Sequence, residues 1–201
     1  MTETREQKTI LHVVVMTAFL TTFMGSALNL SIPAMEKEFG IGATMVGWIV
    51  TAYTLSVAAM SVPFGKIADA VGRRKILILG IGIFAVMSLS CAFCTDIRIL
   101  LAFRVVQGFG ASMIFATNNA ILIGAYPADQ RGRVLGISSA SVYVGLSLGP
   151  VIGGFLNNYI NWRAIFVSVA AVSLIVLIVT TKGIPQRNVG TKDVKVDVPG
   201  N

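Results

Sequence analysis

Charge is scarce in this chain. Of 201 residues only 12% are Asp, Glu, Lys or Arg, against 55% hydrophobic, and the mean hydropathy is +0.79. A soluble domain carries about 25% charge, so the composition excludes an ordinary water-facing surface and indicates a membrane protein. Acid is scarcer still: the nine acidic residues are Glu3, Glu6, Glu36, Glu38, Asp69, Asp96, Asp129, Asp193 and Asp197, and none falls inside a long apolar run. One histidine, His12, and two cysteines, Cys91 and Cys94, make up the softer metal ligands. The cysteines lie in an apolar run without the companion ligands or exposed setting that metal or redox chemistry needs, so they read as packing. There is no metal site, no nucleotide loop ahead of a helix and no nucleophile paired with a base. The chain is therefore not expected to be an enzyme, and no cofactor is expected. The net charge of +7 does not point to nucleic acid, because the basic residues flank apolar runs instead of forming a soluble patch.

What the chain has in quantity is long uncharged runs. Phe39 to Gly65 is 27 residues without a formal charge, Ile76 to Thr95 is 20, and Thr9 to Met35 is 27. About 20 apolar residues cross a bilayer as a helix, and a signal-peptide core is shorter, about 7–15, so the first run reads as an uncleaved span. Charges divide the sequence into six spanning helices over 10–34, 44–65, 75–95, 98–123, 134–157 and 162–181. Spans in lipid must satisfy their own backbone hydrogen bonds, which makes them helices. The expected architecture is an all-α integral membrane protein, a bundle of six transmembrane helices over 10–181. Residues 1–9 precede it, and a polar tail or start of a central loop follows over 182–201.

Orientation follows from the alternation of Lys and Arg. Arg5, Lys8, Lys66, Arg73, Arg74, Lys75, Arg131, Arg133, Lys182, Arg187, Lys192 and Lys195 fall on one side, and Lys37, Arg98 and Arg163 on the other. The positive-inside rule then places both termini in the cytoplasm, consistent with an even number of crossings.

Three constellations stand out. The turn Gly65-Lys66-Ile67-Ala68-Asp69-Ala70-Val71-Gly72-Arg73-Arg74-Lys75 sets Asp69 four residues before Arg73, a spacing that lets opposite charges pair on one helical face. Gly65 and Gly72 permit close backbone approach or a left-handed turn. The second is Arg104 with Gln107 and Gly108, at i+3 and i+4; helical steps continue that face to Ala111, Phe115 and Asn118. An arginine inside a span is costly and marks a functional position, or else it snorkels from the helix start. The third is Gly145, Gly149 and Gly153 with Pro150 and Gly154. It is a smooth stripe for close helix packing with a proline that bends the helix, extended by Gly132, Gly136 and Ala140. Weaker signals are Thr22, Ser26 and Asn29 on the first span, and Trp48 and Tyr53 on the second. Asn29, Tyr53 and Asn118 are candidate cavity residues, although interhelical hydrogen bonds and an aromatic belt account for the same pattern.

These motifs, in this order, resemble the N-terminal half of a major facilitator superfamily transporter. Gly65 to Lys75 matches the signature between spans two and three. Arg104-x-x-Gln107-Gly108 matches the fourth-span motif, and Gly145-x-x-x-Gly149-Pro150-x-x-Gly153-Gly154 the fifth-span antiporter motif. Trp48-Ile49-Val50-Thr51-Ala52-Tyr53 and Asn161-Trp162-Arg163 further resemble the 14-span multidrug:proton antiporter branch. Met24 stands where that branch has an acidic residue, and Ala70 where the signature has a base.

The resemblance implies half of a major facilitator fold in the cell membrane, rocking against a second six-span half supplied by the same or another chain. It implies a gate at Gly65, Asp69, Gly72, Arg73 and Arg74, and coupling to protons or substrate at Arg104, Gln107 and Gly108. It further implies an inter-span interface at the glycine stripe. The function implied is efflux of small amphipathic compounds by proton antiport. The alternatives are a uniporter or symporter of a metabolite and a non-transporting half-size membrane subunit.

Overall fold

The computed structural model describes residues 4–183. Among them the chain is helical throughout, with seven α-helices and one short 3-10 turn. The helices are α1 (Arg5–Ser26), α2 (Ile32–Phe39), α3 (Ala43–Val71), α4 (Arg73–Ala92), α5 (Ile97–Ala125), α6 (Ala128–Tyr159) and α7 (Arg163–Gly183). Six stretches are long and apolar enough to cross a membrane, α1 with its continuation through α2 counting as one.

The helices overrun the apolar runs at most ends. α3 continues six residues past the expected end at Gly65 and carries Lys66 and Asp69 on its last turns. A helix of 29 residues is about 44 Å long at 1.5 Å per residue, against about 30 Å of hydrocarbon. Charge ends the buried stretch of such a helix without ending its hydrogen bonding. What ends α3 is Gly72, whose φ of +114° is open to glycine alone. The expected eleven-residue turn is thus one residue long. The first span departs the other way: α1 stops at Ser26, and a 3-10 turn at Asn29–Ser31 leads into the eight-residue α2, with Pro33 in its first turn. Helix α1 starts at Arg5 behind Thr4, whose hydroxyl accepts from the Gln7 backbone N–H while the Gln7 side chain accepts from the Thr4 N–H. This reciprocal cap carries the helix into the segment expected to precede the bundle. Of the 182–201 tail, residues 184–201 lie outside the described part of the chain.

Lipid chains are as apolar as leucine, so helices in a bilayer associate through close packing and hydrogen bonds. Helix α5 meets its neighbours at glycines. A methyl group at Gly108 would lie 2.6 Å from Ser56 Cβ of α3, and one at Gly110 would lie 2.8 Å from the Phe84 nitrogen of α4. Gly80 of α4 faces the same seam, its would-be methyl 2.9 Å from the Gly110 carbonyl oxygen. Helices α1 and α6 close in the same way through Gly145, Gly149 and Gly153. By contrast, only 22% of the α3 span and 17% of the α6 span is buried.

Candidate functional site

Arg104 sits at the meeting of α3, α4, α5 and α7 and is fully buried, as is Gln107. Its Nε donates to the Ile49 carbonyl of α3 at 2.9 Å, and its Nη1 donates to Gln107 Oε1 at 2.6 Å. The amide of Gln107 is oriented by α4: Nε2 donates to Ser88 Oγ at 2.6 Å, and that hydroxyl donates to the Phe84 carbonyl at 2.6 Å. The Tyr53 ring covers the guanidinium at 4.2 Å, and the Phe166 ring of α7 lies at 5.9 Å. Cation–π contact stabilises a desolvated guanidinium, but no carboxylate ion-pairs with it among the described residues. Arg104 Nη2 is buried without a hydrogen-bond partner. The arginine does not snorkel to a helix end; it is enclosed, and one donor edge is left over.

The expected cavity trio does not meet. Tyr53 is buried and its hydroxyl donates to the Thr21 carbonyl of α1 at 2.8 Å. Asn118, also buried, pairs with Thr17 of α1, its Nδ2 3.2 Å from Thr17 Oγ1. Asn29 is exposed on the 3-10 turn, because the chain leaves the α1 helix after Ser26 and the helical face that would have aligned it with Thr22 ends there. Two of the three are therefore interhelical ties.

At the glycine stripe, a side chain on Gly145 would strike Thr22 and Phe19 of α1, one on Gly149 would strike Ser26, and one on Gly153 would strike the Ala27 backbone. Gly154 faces Leu30, 3.0 Å from its would-be methyl. Thr22 and Ser26 thus face the seam. The stripe does not extend to Gly132 and Gly136, beside which there is open space. Helix α6 runs unbroken through Pro150.

At the basic end, Arg73 Nε donates to Asp69 Oδ1 at 2.9 Å. The pair spans the break at Gly72 instead of lying on one continuous helix face. Arg73 Nη1 also reaches the Ala120 carbonyl of α5 at 3.3 Å, and Arg74 Nη2 the Thr181 carbonyl of α7 at 2.9 Å. Two adjacent arginines therefore tie the α3–α4 turn to carbonyls near the C-terminal ends of two other helices; Thr181 lies in the last turn of α7, where the helix dipole favours cations. Gly65 lies within α3, its would-be methyl 4.0 Å from Ala116 Cβ, an ordinary packing distance.

At the opposite end, Trp162 and Arg163 of the Asn161-Trp162-Arg163 motif meet Glu38, a partner that the motif does not announce. Arg163 grips Glu38 at both carboxylate oxygens, Nη2 to Oε1 at 2.6 Å and Nη1 to Oε2 at 2.9 Å. Trp162 Nε1 donates to the same Oε2 at 2.6 Å, and Arg163 Nη2 donates to the Cys94 carbonyl at 3.0 Å. The partners are 125 residues apart, so no spacing could have announced them. Ser88 was legible only as a hydroxyl in an apolar run. Cys91 and Cys94 are both buried and unbridged, as expected of packing residues.

Six helices long and apolar enough to cross a membrane, folded around an enclosed arginine, define a multi-pass membrane protein. The model of the Major Facilitator Superfamily matches residues 14–196, and the chain belongs to that family, whose members are transporters, not enzymes. Among curated relatives, the riboflavin transporter RibZ of Clostridioides difficile is 33% identical over 191 residues, covering 95% of this chain and 42% of that protein. The multidrug resistance protein Stp of Mycobacterium tuberculosis is 30% identical over 154 residues, 76% of this chain and 29% of that protein. The probable multidrug resistance protein EmrY of Escherichia coli is 28% identical over 185 residues, 90% of this chain and 36% of that protein. The chain spans less than half the length of each of these relatives.

Proposed function

We propose that the chain is one six-span half of a carrier in the cell membrane that exports small amphipathic compounds in exchange for protons, by alternating access. The observation that carries this reading is the contrast in coverage. Arg104 forms a charged, hydrogen-bonded centre enclosed where α3, α4, α5 and α7 meet, while most of α6 and the rest of α3 are left open. Such a body suits rigid rocking against a second half seated on those two helices. In this reading the basic end is cytoplasmic, the Asp69–Arg73 pair and the Arg74 tie make and break the gate there, and Arg104 with Gln107 and Gly108 couples the cycle. The α1–α6 glycine seam holds its neighbours rigid while the halves move.

The test is transport in vesicles holding the full-length protein. An imposed pH gradient should drive a lipophilic dye against its concentration, and Asp69→Asn should slow that movement without changing thermal stability. Dye movement indifferent to the gradient would refute proton coupling. A second reading, uniport or symport of a metabolite, is favoured by the relative named as a riboflavin transporter and by the lack of a buried acid among the described residues. Radiolabelled riboflavin competing with the dye would separate the two.

A further inference from the structure

Arg104 is the sole charged residue among the buried side chains of the described chain. It has no carboxylate partner, and one of its N–H edges is unused. The other buried polar groups around it and along α1 are neutral: Ser56, Ser88, Gln107, Thr17, Thr21, Asn118. The open faces of α3 and α6 repeat this, with Thr51, Thr54, Ser139, Tyr143 and Ser147 exposed and uncharged between the terminal turns. Every acidic residue in the described part stands in a terminal turn of a helix or in a connection, and the two carboxylates described as ion-paired, Asp69 and Glu38, are taken by Arg73 and Arg163.

A buried unit charge without a countercharge sets a potential that low-dielectric surroundings screen poorly. At an effective dielectric of about 20 and a separation of about 10 Å, the attraction or repulsion of a second charge still changes an equilibrium by roughly tenfold or more. A transported compound bearing a positive charge would be repelled by Arg104 and would find no buried acid among the described residues to offset that. A neutral or anionic compound rich in hydrogen-bond acceptors meets the opposite situation, and an acceptor that reached Arg104 Nη2 would occupy its unused edge.

We infer that this half selects its substrate by charge, favouring anionic or neutral, acceptor-bearing aromatic compounds over cations through the uncompensated guanidinium of Arg104. This rests on the carrier reading above and narrows its substrate class. The probes are two dyes on one ring system: fluorescein, an anion at neutral pH, and pyronin Y, a cation. The full-length protein in neutral detergent should bind fluorescein at least about tenfold more tightly than pyronin Y. Arg104→Lys should keep that ratio, and Arg104→Gln should bring it close to one. Equal or tighter binding of pyronin Y by the unmodified protein, binding of neither dye, or an unchanged ratio in Arg104→Gln would overturn the inference. If Arg104→Gln does not fold, the ratios of the unmodified protein and Arg104→Lys decide. Failure of the export reading looks different: fluorescein would be bound with the expected preference yet would not cross in vesicles under a pH gradient.

Discussion

Two seams of this bundle solve the same problem by opposite means. Between α1 and α6, three glycines at four-residue spacing let the backbones touch, and the polar atoms at the contact are uncharged hydroxyls bonded mainly to their own helix, Thr22 to Ala18 and Ser26 to Thr22 and Phe23, with one long bond across from Ser26 Oγ to the Gly145 carbonyl at 3.4 Å. Between α3, α4, α5 and α7, glycines again allow approach, but the centre is a guanidinium that reaches across to Ile49 and the Tyr53 ring of α3 and bonds Gln107 on its own helix. The first seam is sterically exacting and electrically silent. The second concentrates a charge where lipid offers nothing to solvate it. A position that is costly in a membrane is a candidate for function, and one that is merely tight is a candidate for rigidity.

That contrast can be broken at either seam. The largest loss of stability is expected from Gly153→Leu, because the new side chain would meet backbone, the Ala27 carbonyl, which cannot swing away. The cost should reach or exceed ~3 kcal/mol, seen as aggregation or a much lowered thermal midpoint in detergent. Arg104→Met should cost less stability and more function. It removes a desolvated charge but leaves Gln107 Oε1 buried without its donor, a loss of about 1–3 kcal/mol. Transport should fall by about 10–100-fold, the worth of one or two charge-assisted hydrogen bonds, measured as the initial rate in vesicles beside the thermal midpoint.

Two further substitutions sharpen the comparison at the ends. Gly72→Ala forces a side chain into a backbone conformation at φ +114° that only glycine adopts freely, costing about 1–3 kcal/mol. It should loosen the α3–α4 turn, read as faster hydrogen exchange at Arg73 and Arg74. Glu38→Gln removes the charge that Arg163 grips, but the pair is partly exposed, with side chains 27% and 40% accessible. Solvent screening limits the effect to about 1 kcal/mol or less, and a double-mutant cycle with Arg163→Gln would measure it.

Much of this was legible along the chain. Long uncharged runs, the shortest the 18 residues between Arg163 and Lys182, announced six crossings, the i+3 and i+4 relation of Arg104 to Gln107 and Gly108 placed them on one face, and Gly145, Gly149 and Gly153 announced a seam. Residue type does not show where polarity and helix part company. The charges of Lys66 and Asp69 place them outside hydrocarbon without ending α3, since water and headgroups tolerate a helix as well as lipid does. Nothing in the residue type of Asn29 says that α1 ends three residues before it and so breaks the face shared by Thr22 and Ser26.

Sequence alone determined that these helices lie in a membrane, and which end of each is basic, because both follow from the transfer cost of charge, counted one residue at a time. Only the tertiary structure decided that Arg104 is enclosed without a countercharge, that Ser88 aims the Gln107 amide, and that Glu38 is held by Trp162 and Arg163. Those are relations between residues on different helices. Chain connectivity does not constrain such distances until packing brings the helices together.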